Sequence, residues 1–247
     1  MNGSGPPDTL SCFRLVCEVA HLASPPFHMG HLTDPAGQVA PANVERVSWT
    51  QSPTAEREPS TAGTAGRVIL SFVAVLYVVE AFDTLTGGWL EQEGGIEPRD
   101  LEGIDGIVLA PLIHGDWAHL LANTAPLLLL GFFLLLSGLR RWAAVTATVW
   151  LVGGVGVWLF GPAGTIHVGA SVLVFGWLVY LMLRGLVTGH PGQLALGVIL
   201  LLLYGGALWG VLPGQPGVSW QGHLFGAVGG ALAVWQLDRK GGRPRSR

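Results

Sequence analysis

Apolar runs separated by short polar breaks dominate the chain from Arg67 onward. The first run, Val68 to Phe82, carries Glu80 and Asp83 at its far end. It is short for a helix that must cross hydrocarbon, which takes about 20 residues. Arg67 at one end and the acidic pair at the other suit the two interfaces, so a spanning helix is predicted all the same. Five further segments follow, at about 117–137, 142–160, 169–187, 194–212 and 222–237, each near spanning length. Between the first two runs lies a connection of about thirty residues, Thr84 to Ile113, longer than most loops. Its Trp89, Leu90, Ile96, Leu101, Ile104, Ile107 and Leu109 predict short amphipathic pieces lying at the membrane surface. Residues 1–66 are rich in Pro, Ser, Thr, Gly and Ala, with no sustained apolar periodicity, and are expected to be disordered. The expected organisation is an all-α membrane protein: a six-helix domain at 67–238, preceded by that tail and followed by a basic tail at 239–247.

Composition supports the membrane class. Charged residues make up 12% of the chain, against roughly 25% in soluble domains, and the mean hydropathy is +0.50. The net charge of -3 gives no sign of a nucleic-acid partner. Cys12 and Cys17 both lie in the N-terminal tail, so no disulfide framework is expected in the membrane domain. Together with His21, His28 and His31 they match no zinc spacing, and neither a metal nor another cofactor is predicted. The tail has no basic stretch leading into an apolar run and cleavage site, so a secretory signal is not expected. Charge also sets orientation. Arg140 and Arg141 follow the second run, Arg184 near His190 marks the turn from the fourth to the fifth, and Arg239, Lys240, Arg243, Arg245 and Arg247 follow the sixth. The connections at 161–168 and 213–221 hold no Lys or Arg, and the first connector holds six acidic residues against Arg99. The positive-inside rule then places both termini in the cytoplasm and the acidic connector outside, with the chain multi-pass in the cell membrane.

Polar residues at the outer helix ends are the candidates for chemistry. Ser171, in Gly169-Ala170-Ser171, opens the fourth helix, and His223 opens the sixth. A serine hydroxyl is a poor nucleophile until a base takes its proton, and neutral histidine suits that task. The two would pair if helices four and six touched. Gly222, Gly226 and Gly230, four apart, provide a flat stripe for such contact, as do Gly169 and Gly176. Glycine stripes and serines bonded to their own backbone are also common in membrane helices without any catalytic meaning. Phe175, one turn after Ser171, is placed to pack on the imidazole. On the second helix His119 and Asn123, four apart, share a face. With the Ser171 N–H they are suitable donors for an oxyanion. His114, just before that helix, is expected to be structural, and Asp116 to be the helix N-cap.

At these residues the chain resembles the rhomboid family of intramembrane serine proteases, from about Arg67 to Asp238. His114, His119 and Asn123 are similar to the family's second-helix motif, Gly169-Ala170-Ser171 to its Gly-x-Ser, and Gly222-His223 with the following glycines to its sixth helix. The resemblance implies a six-helix rhomboid-like bundle with a long first loop, and a serine endopeptidase whose Ser171–His223 dyad cuts single-span or other membrane-protein substrates in or next to their transmembrane segments, near the outer surface of the lipid bilayer. It also implies His119, Asn123 and the Ser171 N–H as oxyanion donors, and Phe175 as the aromatic stacked on the histidine. The family commonly has glycine after the serine, where this chain has Val172, a change expected to narrow the site or alter its specificity. The family's inactive members, which bind membrane proteins, supply the alternative reading. They lack one or both dyad residues, and this chain has both. A transporter would place polar groups at mid-membrane, and a metalloprotease would show HExxH; neither pattern is present.

Overall fold

Thr61 opens the part of the chain described by the computed structural model, which covers residues 61–215 and 217–238. The expected tail up to residue 60, with Cys12, Cys17, His21, His28 and His31, and the basic tail from residue 239, lie outside the described residues. The Thr61 side chain accepts the Thr64 N–H and caps helix α1, Ala62–Leu85. The helix therefore begins before Arg67 and reaches 24 residues, full spanning length. Its small first residues carry no apolar signal, and the cap sets the start instead. Ala65, Ile69, Val73, Leu76, Glu80 and Asp83 are its buried stripe, recurring at steps of three and four as one helix face must.

The connector holds the short helices α2, Trp89–Gly94, and α3, Gly106–Leu109, then a 3₁₀ turn, Ala110–Leu112. Only part of it behaves as the predicted amphipathic surface. Trp89, Leu101, Ile104 and Leu109 are exposed, but Ile96 is buried and pairs its backbone with His167 in an antiparallel bridge.

Helix α4 spans Trp117–Leu135, α5 Leu139–Phe160, α6 Ser171–Thr188 and α7 Pro191–Tyr204, extended by a 3₁₀ segment, Gly205–Val211; helix α8 spans Trp220–Leu237. Arg99 anchors the connector to the end of α5, donating to the carbonyls of Leu159 (3.2 Å) and Gly161 (2.7 Å). A cation at a helix C-terminus is favourable because the last carbonyls lack partners. Trp158 Nε1 and Trp150 Nε1 return the attachment, donating to the Asp100 and Ile107 carbonyls.

Among the described residues, five helical stretches are long and apolar enough to cross a membrane: Ala62–Leu85, Trp117–Leu135, Leu139–Phe160, Ser171–Thr188 and Pro191–Val211. No strand occurs among the described residues beyond that isolated bridge, and the chain is a multi-pass membrane protein. Helix α8 was expected as a sixth span. It has 18 residues, but Gln221, His223, Gln236 and four glycines dilute its apolarity. Its position explains why it tolerates them, since its glycines face protein.

Helix α6 is the hub. Val172 through Leu178 are all buried, as a helix apolar all round should be when enclosed by others. Side chains added at Gly226 and Gly230 of α8 would collide with the Val172 and Gly176 carbonyls of α6, so the two backbones meet directly there. Gly222 differs from expectation: its open side faces Ser219 Oγ and Val157, not α6. At the far end, Asp238 accepts from Arg141 (2.6 Å) and Tyr180 (2.9 Å) and also meets Arg184 (3.4 Å). Arg184 bonds the Ser137 hydroxyl as well. The arginines that marked turns in the sequence thus tie α5, α6 and α8 around one buried carboxylate, which needs such partners to be tolerated.

Candidate active site

Helices α4, α6 and α8 begin at the same end of the bundle, and the site forms from their first turns. Gly169 has φ +119, a conformation that a side chain would strain. It also gives room: a Cβ there would stand 2.6 Å from Cε1 and 2.7 Å from Nε2 of His119. The His119 imidazole thus lies against the backbone two residues before Ser171.

Ser171 is the first residue of α6, half-buried, and its hydroxyl makes no hydrogen bond. The neighbouring amides are claimed. Gly169 N–H donates to the Ala110 carbonyl, Ala170 N–H to His114 Nε2 at 3.4 Å, and Leu173 N–H to the Ala170 carbonyl. The Ser171 N–H is left without an acceptor, as the first amides of a helix are unless capped, which makes this a place where an anion is stabilised.

His223 sits in the first turn of α8, whose N-cap Ser219 accepts the Gly222 N–H. Its ring stacks on Phe175, centroids 4.0 Å apart and planes 10° from parallel. Its Nδ1 is 3.0 Å from the Gly210 carbonyl oxygen. Phe175 lies one turn beyond Ser171, so the stack carries the imidazole to the Ser171 face of α6. No hydrogen bond joins Ser171 to His223 in this structure. Such bonds are often long before substrate binds.

Asp116 caps α4 by accepting the His119 N–H at 2.7 Å. Asn123 is buried and donates through Nδ2 to the His119 carbonyl at 3.1 Å. His119 and Asn123 are one turn apart on the face that meets Gly169. His114 is almost wholly buried, edge-on to His119 at 5.1 Å between ring centroids. Its acceptor role toward Ala170 fixes the segment that leads into Ser171, a specific form of the structural role expected of it. Burial first, and the nearby His119 second, push its imidazole down to about 4.

A small pocket opens beside Ser171, lined by Gly153, Val157, Val168, Val172, Ser219 and His167 among others. Two of these residues escaped sequence reasoning. His167 Nδ1 lies 2.8 Å from Ser219 Oγ and its Nε2 lies 2.8 Å from Thr165 Oγ1, a polar chain tying the connection before α6 to the start of α8. Burial lowers the His167 imidazole below its ordinary value. Ser219 three residues before Gly222 was a readable cap signal. His167 had none, since its partners come from across the fold. Val172 turns its side chain toward Gly153 of α5. No metal-binding group of three or more His, Cys, Asp or Glu occurs among the described residues. The assembly is a hydroxyl at a helix start, an imidazole on the same face, and a free amide with polar neighbours, a set suited to acyl transfer.

Comparison with known proteins gives a consistent family. A model of the Rhomboid domain matches residues 103–240. An uncharacterized protein of Mycobacterium tuberculosis strain H37Rv is 48% identical over 181 residues, covering 70% of this chain and 75% of its own. An uncharacterized Mycobacterium leprae protein is 46% identical over 181 residues, covering 70% and 71%. A Bacillus subtilis protein named "Putative rhomboid protease YdcA" is 31% identical over 131 residues, covering 52% and 65%.

Proposed function

The chain belongs to the rhomboid family, and from that premise we propose that it is an intramembrane serine endopeptidase that hydrolyses peptide bonds in or beside transmembrane segments of other membrane proteins. The observation that carries this reading is the Phe175–His223 stack one helical turn from an unbonded Ser171 hydroxyl. In the proposed mechanism His223 takes the Ser171 proton as the hydroxyl attacks the scissile carbonyl, then returns it to the leaving amine. The Ser171 N–H, His119 and Asn123 hold the oxyanion; losing one such donor typically costs about 10²–10³ in turnover. Water then hydrolyses the acyl-enzyme with His223 again as base.

We place α8 as the sixth span of a six-helix domain with residues 86–116 as its long first loop. The site then lies at the outer side of the cell membrane, with both termini cytoplasmic, as the basic ends of the helices favour. A substrate helix must unwind there to expose its backbone, which is costly in lipid, so Gly or Pro near the cut should speed cleavage.

The test is purified protein in liposomes with a panel of single-span substrates, comparing the native chain with Ser171→Ala and His223→Ala. Cleavage by the native chain alone is expected. Folded protein that binds these substrates and cuts none of them would instead support the reading of a rhomboid-like protein that binds membrane proteins without catalysis.

A further inference from the structure

We propose that the backbone carbonyl of Gly210 is the positioning group for His223, occupying the place that a carboxylate holds in three-membered serine hydrolase sites. The role assigned to the histidine rests on the protease reading; the contact itself does not. A carbonyl only accepts, so His223 Nδ1, 3.0 Å away, must donate to it. In the neutral ring that fixes the proton on Nδ1 and leaves the Nε2 lone pair as the base, the tautomer a serine needs. The Phe175 stack fixes the plane of the ring and the Gly210 contact its rotation within that plane. No carboxylate contacts His223 among the described residues.

Local sequence explains why this carbonyl is free. Gly210 lies in the last turn of the 3₁₀ segment Gly205–Val211. The residue three further on, whose N–H would continue the ladder, is Pro213, and proline has none. Glycine is required for space: a Cβ on Gly210 would stand 2.9 Å from His223 Nδ1 and 3.1 Å from Phe175 Cζ. The segment extends α7, whose buried residues are only Gly197 and Leu200. The orienting group is therefore carried on a lightly packed element, and displacing that segment would release the imidazole.

The test uses full-length protein in lipid nanodiscs with ¹⁵N-labelled histidine, the His223 signals being assigned by their loss in His223→Ala. At neutral pH the expected signature is a single Nδ1–H tautomer. In Gly210→Ala that preference is expected to disappear, with kcat lower by about tenfold, the worth of one hydrogen bond, and KM within about twofold, as for a group acting only on the chemical step. An Nε2–H or averaged tautomer in the native protein overturns the proposal, as does Gly210→Ala with an unchanged tautomer, whatever its kcat. Should Gly210→Ala not fold, the native tautomer decides alone. An Nδ1–H tautomer in a native protein that cuts none of the substrates retains the positioning contact and removes the protease reading.

Discussion

Phe175 and His223 lie face to face, 4.0 Å between ring centroids, although they come from different helices 48 residues apart in sequence. The face of a benzene ring is negative, so it favours the imidazolium that forms when the serine proton is taken. Phe175→Leu keeps an apolar side chain and removes the stack. With desolvated cation–π contacts worth about 1–2 kcal/mol, we expect kcat to fall by roughly tenfold while thermal stability changes little. Unchanged kcat on a cleaved substrate would mean that the ring only fills space.

Val172 replaces the glycine that commonly follows the family's serine, and α5 accommodates it. A Cβ on Gly153 would overlap Val172 Cγ2, so the two residues form a complementary pair across α5 and α6. Gly153→Ala should destabilise the protein by about 1–3 kcal/mol through overpacking. Adding Val172→Ala should recover much of that loss, since contacting residues are not additive. Thermal unfolding of the two single variants and the double would measure the coupling; strictly additive shifts would remove it.

Particular residues show what the sequence contained. Apolar run length placed the helices, because an unbroken apolar run that crosses lipid satisfies its own backbone only as a helix. Helix ends were harder to read. Thr61 starts α1 six residues before Arg67 by a side-chain cap, and α7 tightens into a 3₁₀ segment before Pro213. The apposition of α6 and α8 was legible in Gly226 and Gly230, and the placing of Phe175 in its spacing from Ser171. The Gly210 carbonyl was not legible: every residue has a carbonyl, and only tertiary packing decides which one a side chain meets. Asp238 was invisible for the related reason that Arg141, Tyr180 and Arg184 converge on it from distant parts of the chain.

Glu91 faces other carboxylates where α1, the connector and the start of α4 meet. Burial raises its carboxyl above the ordinary value, and Asp83 and Asp116 add to the shift. Glu80, buried close by, has an Oε2 without a partner. For a raised carboxyl the favourable contribution is complete below 4.5 and is lost as pH rises through the folded-state value. Glu91→Gln should therefore raise the melting temperature at neutral pH, with the gain vanishing in acid. A gain that persists below the ordinary carboxylate range would point to packing instead.

His114 behaves with the opposite sign. Its folded-state value is about 4 against an ordinary 6.5, so the neutral ring stabilises the fold above 6.5 and that contribution is lost as pH falls through this window. The chemical reason is local: Nε2 accepts the Ala170 N–H, and a proton arriving on Nε2 removes the acceptor and charges a buried ring. His114→Asn should cost about 1–3 kcal/mol at neutral pH, as expected for a disrupted buried hydrogen bond. It should also flatten the fall of melting temperature between pH 6.5 and 4. Because Ala170 leads directly into Ser171, native activity should fall across the same window as this segment loosens. Hydrogen exchange of the Ala170 amide should quicken over the same range, because protonation of His114 removes its acceptor. Parallel melting curves for native and variant protein across that range would show that His114 does not titrate with unfolding.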